Sequence, residues 1–161
     1  MRGVTMEKID WKNLSYYDFI GFVAVTAFLL FVLYFGGLWY ATYDYRIQMR
    51  DQMVEMYQQL PNPIPPIEDD YGVHQRWLVF YIDGIKILNK PQPENVINEY
   101  RKALEKEGWA AEREYVRNDK NKTYGINMRK GEFVFSVSAR ENRDSINIHL
   151  IKRDWIYHMG L

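Results

Sequence analysis

The sequence contains no cysteine. Disulfides, thiolate nucleophiles, iron–sulfur clusters, Cys-ligated zinc and a lipidated cysteine anchor are excluded. The redox compartment stays open, since exported and cytosolic proteins can both lack cysteine. An excess of either charge is missing too: 21 Lys and Arg balance 21 Asp and Glu over 161 residues. The basic surplus of a nucleic-acid binder is absent, so nucleic acid is not an expected partner. Histidine is scarce, with three in the chain, His74, His149 and His158. None stands in H-x-x-x-H or H-E-x-x-H spacing, which leaves a metal site without local support. P-loop, G-x-G-x-x-G and G-x-S-x-G patterns are absent as well. Ser136 or Ser138 could neighbour His149 on adjacent strands, but strand serines rarely serve as nucleophiles. No catalytic residue, cofactor or metal is expected, and the chain is not read as an enzyme.

A long apolar run is present. Phe19–Ala41 holds 23 residues without a charge. As a helix it measures about 34 Å, enough to cross a hydrocarbon core of roughly 30 Å. Tyr16 and Tyr17 precede it, and Trp39, Tyr40, Tyr43 and Tyr45 lie at its other end, as two membrane–water interfaces favour. The run is too long for a signal-peptide core and no A-x-A-like site follows it, so a retained anchor is expected. Arg2, Lys8 and Lys12 precede the span, against Arg46 and Arg50 just after it. This bias predicts a cytoplasmic tail at 1–18, a transmembrane helix at 19–41 and an extracytoplasmic C-terminal part. The lipid bilayer is therefore the first expected partner.

Residues 42–60 contain neither Gly nor Pro, and Tyr45, Met49, Met53, Met56 and Leu60 recur at helical spacing. We read a helical stalk whose stripe packs on the chain's own domain, on lipid, or against a second protein. Met49, Met53 and Met56 are candidate partner-binding residues. Gly37-x-x-x-Ala41 permits close helix approach, so homo-oligomerisation through span and stalk is a further expectation. Four prolines in residues 61–66 then stop the helix and favour an extended spacer over an SH3-type ligand. With the solvated acidic run Glu68–Asp70, this gives a Pro-rich linker over 61–72.

The remainder, 73–161, reads as a small α+β domain. Arg76–Leu88 is rich in β-formers, and Asp83-Gly84 predicts a tight turn or kink within it. Pro93 and Gly108 bracket a helix over 94–107 with Val96, Ile97, Tyr100, Ala103 and Leu104 on its apolar face. Trp109 is expected to fold back on the helix end. The period then changes to two, giving strands at 111–117, 123–129, 132–140 and 145–153. Short turns imply an antiparallel meander with one apolar face, covered by the one helix 94–107. The fold class expected is thus α+β: a single N-terminal transmembrane helix, a helical stalk, and one helix packed on an antiparallel sheet.

The opposite sheet face would show Asn127, Ser136, Ser138, Asn147 and His149, with Val134 and Ile151 among them. Small polar residues on an open sheet make a flat hydrogen-bonding surface, either merely solvated or a docking face. The apolar C-terminus, with Trp155 and Tyr157, either caps the sheet or enters a partner.

Tyr100-Arg-Lys-Ala-Leu104-x-x-x-Gly108-Trp109, followed by Gly131-Glu-Phe-Val-Phe-Ser-Val, resembles small prokaryotic envelope proteins and lipoproteins over residues 94–151. In those, a Y-[RK]-x-x-L-x-x-x-G-W helix end precedes an antiparallel meander. This chain has no lipobox cysteine and carries a spanning helix instead. The resemblance implies an envelope location and no reaction. The expectation is a non-catalytic single-pass membrane protein presenting an interaction domain, an accessory or assembly subunit working with other membrane or envelope proteins. The alternative is a membrane-anchored ligand-binding or sensor module.

Overall fold

The computed structural model describes residues 16–118 and 121–158. The expectations for the basic residues Arg2, Lys8 and Lys12 lie outside them. The chain divides into two units, at Asp44/Tyr45. In the first, an uninterrupted set of apolar and small residues forms α1 (Tyr16–Ala41). It is the one helix among the described residues long and apolar enough to cross a membrane, over Phe19–Ala41. None of that stretch is buried against protein. Thr42 ends it, turning its hydroxyl back onto the Leu38 carbonyl at 2.8 Å.

The second unit is α+β. Its elements are α2 (Tyr43–Gln58, whose residues from Tyr45 on belong here), β1 (Glu68–Arg76), β2 (Val79–Ile87), α3 (Pro93–Lys106), β3 (Ala110–Asn118), β4 (Lys122–Lys130), β5 (Phe133–Arg140), β6 (Ser145–Lys152) and the single turn α4 (Trp155–His158). The six strands form one antiparallel sheet in the order β1-β2-β6-β5-β4-β3. β3 to β6 are the expected meander, and β6 closes onto β2.

Alternation decides what each strand buries. Phe80 and Ile82 of β2, Ile126 and Met128 of β4, Phe135, Val137 and Ala139 of β5, and Ile146, Ile148 and Leu150 of β6 form one apolar face. α3 covers the β3–β5 side of it with Val96, Ile97, Tyr100 and Leu104. Pro93 suits its first turn, where the missing N–H has no intrahelical partner. Gly108, at φ +82°, lets the chain reverse so that the Trp109 amide donates to the Leu104 carbonyl at 3.0 Å. Trp109 then folds back, edge-on to Phe135 at 6.1 Å.

The structure corrects three parts of the sequence reading. The first is the stalk. Of the coverings expected for its stripe, the chain's own domain is the one observed, which makes α2 a second cover and not a free stalk: Met49, Met53 and Tyr57, with Leu60 just beyond the helix, are buried in the same core, and Tyr45 and Met56 pack against it. Met49 and Met53 are therefore not available to a partner, and the compact unit starts at Tyr45, not at residue 73. The second is the linker. The acidic run opens β1, whose Asp69 faces the core beside Lys86 of β2. The third is the turn. Trp77-Leu78 joins β1 to β2, with Trp77 at φ 56°, while Asp83-Gly84 lies mid-strand. The Tyr57 hydroxyl occupies the place a Gly84 side chain would take, 2.9 Å from a Cβ there, so glycine serves a close approach and not a reversal.

A polar cluster pins α2 and the proline segment to the sheet. The Lys86 ammonium, almost fully buried, lies 3.0 Å from Asp69 Oδ2 and also donates to Asn62. Tyr57 donates to Asp69 Oδ1 at 3.1 Å. Burial first, and the Asp69 charge second, raise the affinity of the Tyr57 and Tyr100 phenols for their protons. Tyr45 is pushed from 10.0 to about 12 by burial and by Asp154. All three hold the proton more tightly folded than unfolded. Their contribution is whole below about pH 10 and is lost as pH rises through the folded values. Alkali between pH 9 and 12 is thus expected to lower the urea midpoint of the 45–161 domain, with a smaller drop in a Tyr45→Phe, Tyr57→Phe, Tyr100→Phe variant. Tyr100→Phe alone is expected to raise stability at pH 7 by about 1 kcal/mol, because its buried hydroxyl has no partner among the described residues.

Candidate open-face groove

The strand registers align the other sheet face in rows. One row runs Gly72, Asp83, His149, Ser136, Asn127 and Arg113 from β1 to β3. The next toward the β1–β2 turn runs His74, Tyr81, Ile151, Val134, Arg129 and Ala110, and the row on the other side carries Asn147 and Ser138. Asn127, Ser136, Ser138, Asn147 and His149 therefore do share the face read from the sequence.

Asp83 and His149 are directly opposed, and His149 Nδ1 lies 2.7 Å from Asp83 Oδ1. A carboxylate only accepts, so Nδ1 carries the hydrogen, and Nε2 is the ring nitrogen that Asp83 does not engage. Ser136 stands opposite His149 on the far side, completing an Asp-His-Ser order across three strands. The imidazole bond runs to Asp83, and Ser136 makes no bond to His149 among the described residues. The ladder also uses the strand amides that an oxyanion hole would need.

Beside this row is a groove of about 640 Å³, lined by Arg76, Val79, Tyr81, His149, Ile151, Tyr157 and His158. Val79 and Ile151 give it apolar surface. Tyr81 lies between two imidazoles, stacked on His74 at 5.2 Å and tilted to His149 at 5.6 Å. Tyr157 and His158 come from α4, positioned by Asp154: its Oδ1 accepts the Tyr157 amide at 3.1 Å. Its Oδ2 accepts the Tyr45 hydroxyl of α2 at 3.2 Å. Asp154 is buried, and one carboxylate thereby joins the wall of the groove to the start of the domain.

Of the candidate residues, the groove uses His149 and Tyr157. Ser136 and Asn127 continue its row outward, and Asn147 borders a second hollow of about 430 Å³ that also includes Asp70 and Asp83. Trp155 is largely exposed. Toward β3, Val134 is wholly covered although it lies on this face. Its neighbour Arg129, and Arg153 beyond Ile151, both lie within 4 Å of the Glu112 carboxylate. Among the described residues, no group of three His, Asp or Glu side chains is placed to hold a metal.

Sequence reasoning missed Arg76, Tyr81 and Asp83. The signal was the alternation of residues 79–87, with Phe80, Ile82 and Lys86 inward and Tyr81, Asp83 and Ile85 outward. Taking Asp83-Gly84 as a turn hid it. Comparisons with known protein families, with curated proteins and with solved structures find no match to this chain.

Proposed function

We propose that this is a single-pass membrane protein whose 45–161 domain works by binding a small ligand at the open-face groove, as a ligand-binding or sensor module of the cell envelope. The groove carries this reading: it joins apolar surface, aromatic walls and a few convergent polar groups in a volume suited to a small molecule. The Asp154 link adds a route out. Ligand contacts at Tyr157 and His158 act on the carboxylate that also holds Tyr45, and Tyr45 follows Ala41 by four residues along the chain. The uncharged run of α1, longer than a signal-peptide core, supports an anchor. The basic bias ahead of it supports a cytoplasmic N-terminal side and an extracytoplasmic domain.

A second reading is an accessory subunit of an envelope complex, favoured by β3. That nine-residue edge strand is exposed along almost its whole length, and an edge can take a partner strand through its unpaired backbone groups. The test is mass spectrometry of the full chain purified in mild detergent. A retained small molecule that is lost in His149→Gln supports the groove. Stoichiometric membrane proteins retained equally by wild type and variant, with no small molecule, favour the subunit. Ser145→Cys, the sole thiol such a chain would have, reports sidedness: protection from an impermeant maleimide until cells are lysed would overturn the proposed orientation.

A further inference from the structure

We infer that the groove takes a small ring compound bearing a carboxylate or phosphate group; this rests on the ligand-binding reading and names its ligand class. No carboxylate is among the side chains lining the groove. The nearest in register, Asp83, is engaged with His149 Nδ1. Arg76 has no carboxylate partner among the described residues. It is the one Arg or Lys among the side chains lining the groove. An arginine left unneutralised on the wall of a groove is a fork of donors matched to a carboxylate or phosphate. With Asp83 on Nδ1, an oxyanion facing Nε2 would give the His149 imidazolium an acceptor on each side. The Tyr81, Tyr157 and His158 rings supply further donors around the same space.

The ring part follows from the rest of the lining. Val79 and Ile151 offer aliphatic surface, and the Tyr81 and Tyr157 rings offer aromatic surface. Tyr81, with the His74 ring on one side and the His149 ring on the other, already places three rings at stacking distances along the sheet. A bare inorganic anion would leave that apolar surface wet. A neutral ring would leave Arg76 without a counter-charge. An anionic ring compound satisfies both.

The chain's three histidines, His74, His149 and His158, lie in or beside the groove and can each be followed by their ring NMR signals. The test uses the full chain in detergent, with benzoate, phenyl phosphate, inorganic phosphate, benzyl alcohol and benzylamine as probes. Benzoate or phenyl phosphate is expected to shift the His149 and His158 signals saturably. Arg76→Gln, a substitution on an exposed side chain, should weaken that binding about tenfold or more. Which of the two probes binds more tightly distinguishes a carboxylate source from a phosphate one. Equal or tighter binding of benzyl alcohol or benzylamine at the same histidines overturns the anionic class and leaves the binding reading standing. Inorganic phosphate binding as tightly as phenyl phosphate overturns the ring. Affinity for the anionic probes unchanged in Arg76→Gln, with an unchanged melting temperature, overturns the role of Arg76 and with it the inference. If no probe moves any histidine signal at millimolar concentration, the inference and the ligand-binding reading both fall.

Discussion

Asp69→Ala is expected to cost the domain about 3–5 kcal/mol, far more than Lys86→Met at the other end of the same ion pair. The asymmetry comes from exposure. The Lys86 side chain is 4% exposed and that of Asp69 30%. Removing the carboxylate strands an ammonium in the core with Asn62 as its remaining hydrogen-bond acceptor, and leaves the Tyr57 hydroxyl without its bond. Removing the ammonium leaves a carboxylate that still reaches water and still accepts from Tyr57, while methionine refills the stem. That variant should lose about 1 kcal/mol or less. The double variant should therefore be more stable than Asp69→Ala alone, since the second change removes the stranded charge. Urea midpoints of the four proteins close the cycle. Equal, additive losses from the two single changes would show that the pair is not coupled in the way its geometry implies.

The same pair explains why β1 was not legible. Glu68–Arg76 has no apolar alternation and begins with three acids. Its inward positions are Asp69, Tyr71 and Val73, and the first of these makes sense only opposite Lys86, seventeen residues on. Nothing local announces a carboxylate as a core-facing residue. α3 and the meander posed no such problem. Proline, glycine and the returning Trp109 mark the ends of α3 locally. Period-two patterning assigns Asn127, Ser136, Ser138, Asn147 and His149 to one face without knowledge of any partner strand. The groove falls between these cases. His149 and Tyr157 could be singled out, but their neighbours Arg76 and Tyr81 come from the hairpin that joins β6 at the far end of the chain. A site built from such separated pieces has no spacing to read.

The α2 stripe shows the limit most sharply. Helical periodicity identified a face but not what the face covers. The structure lays Met49, Met53, Tyr57 and Leu60 on the sheet, which yields an expected result for fragments: 45–161 should fold and 61–161 should not. Each of those four side chains is buried, and burying one contributes about 1.5–3 kcal/mol. Their combined loss is roughly 6–12 kcal/mol, an upper estimate that matches the whole stability of a typical domain, about 5–15 kcal/mol. Deleting α2 also takes the Tyr57 hydroxyl from Asp69. The change Met53→Ala, made within 45–161, should cost about 2–5 kcal/mol and lower the melting temperature without abolishing the fold. Near-ultraviolet circular dichroism with thermal melting separates the cases: a cooperative transition for 45–161, a lower one for its Met53→Ala variant, and none for 61–161. A 61–161 fragment melting cooperatively at the temperature of 45–161 would return α2 to the role of a stalk and free its methionines for a partner.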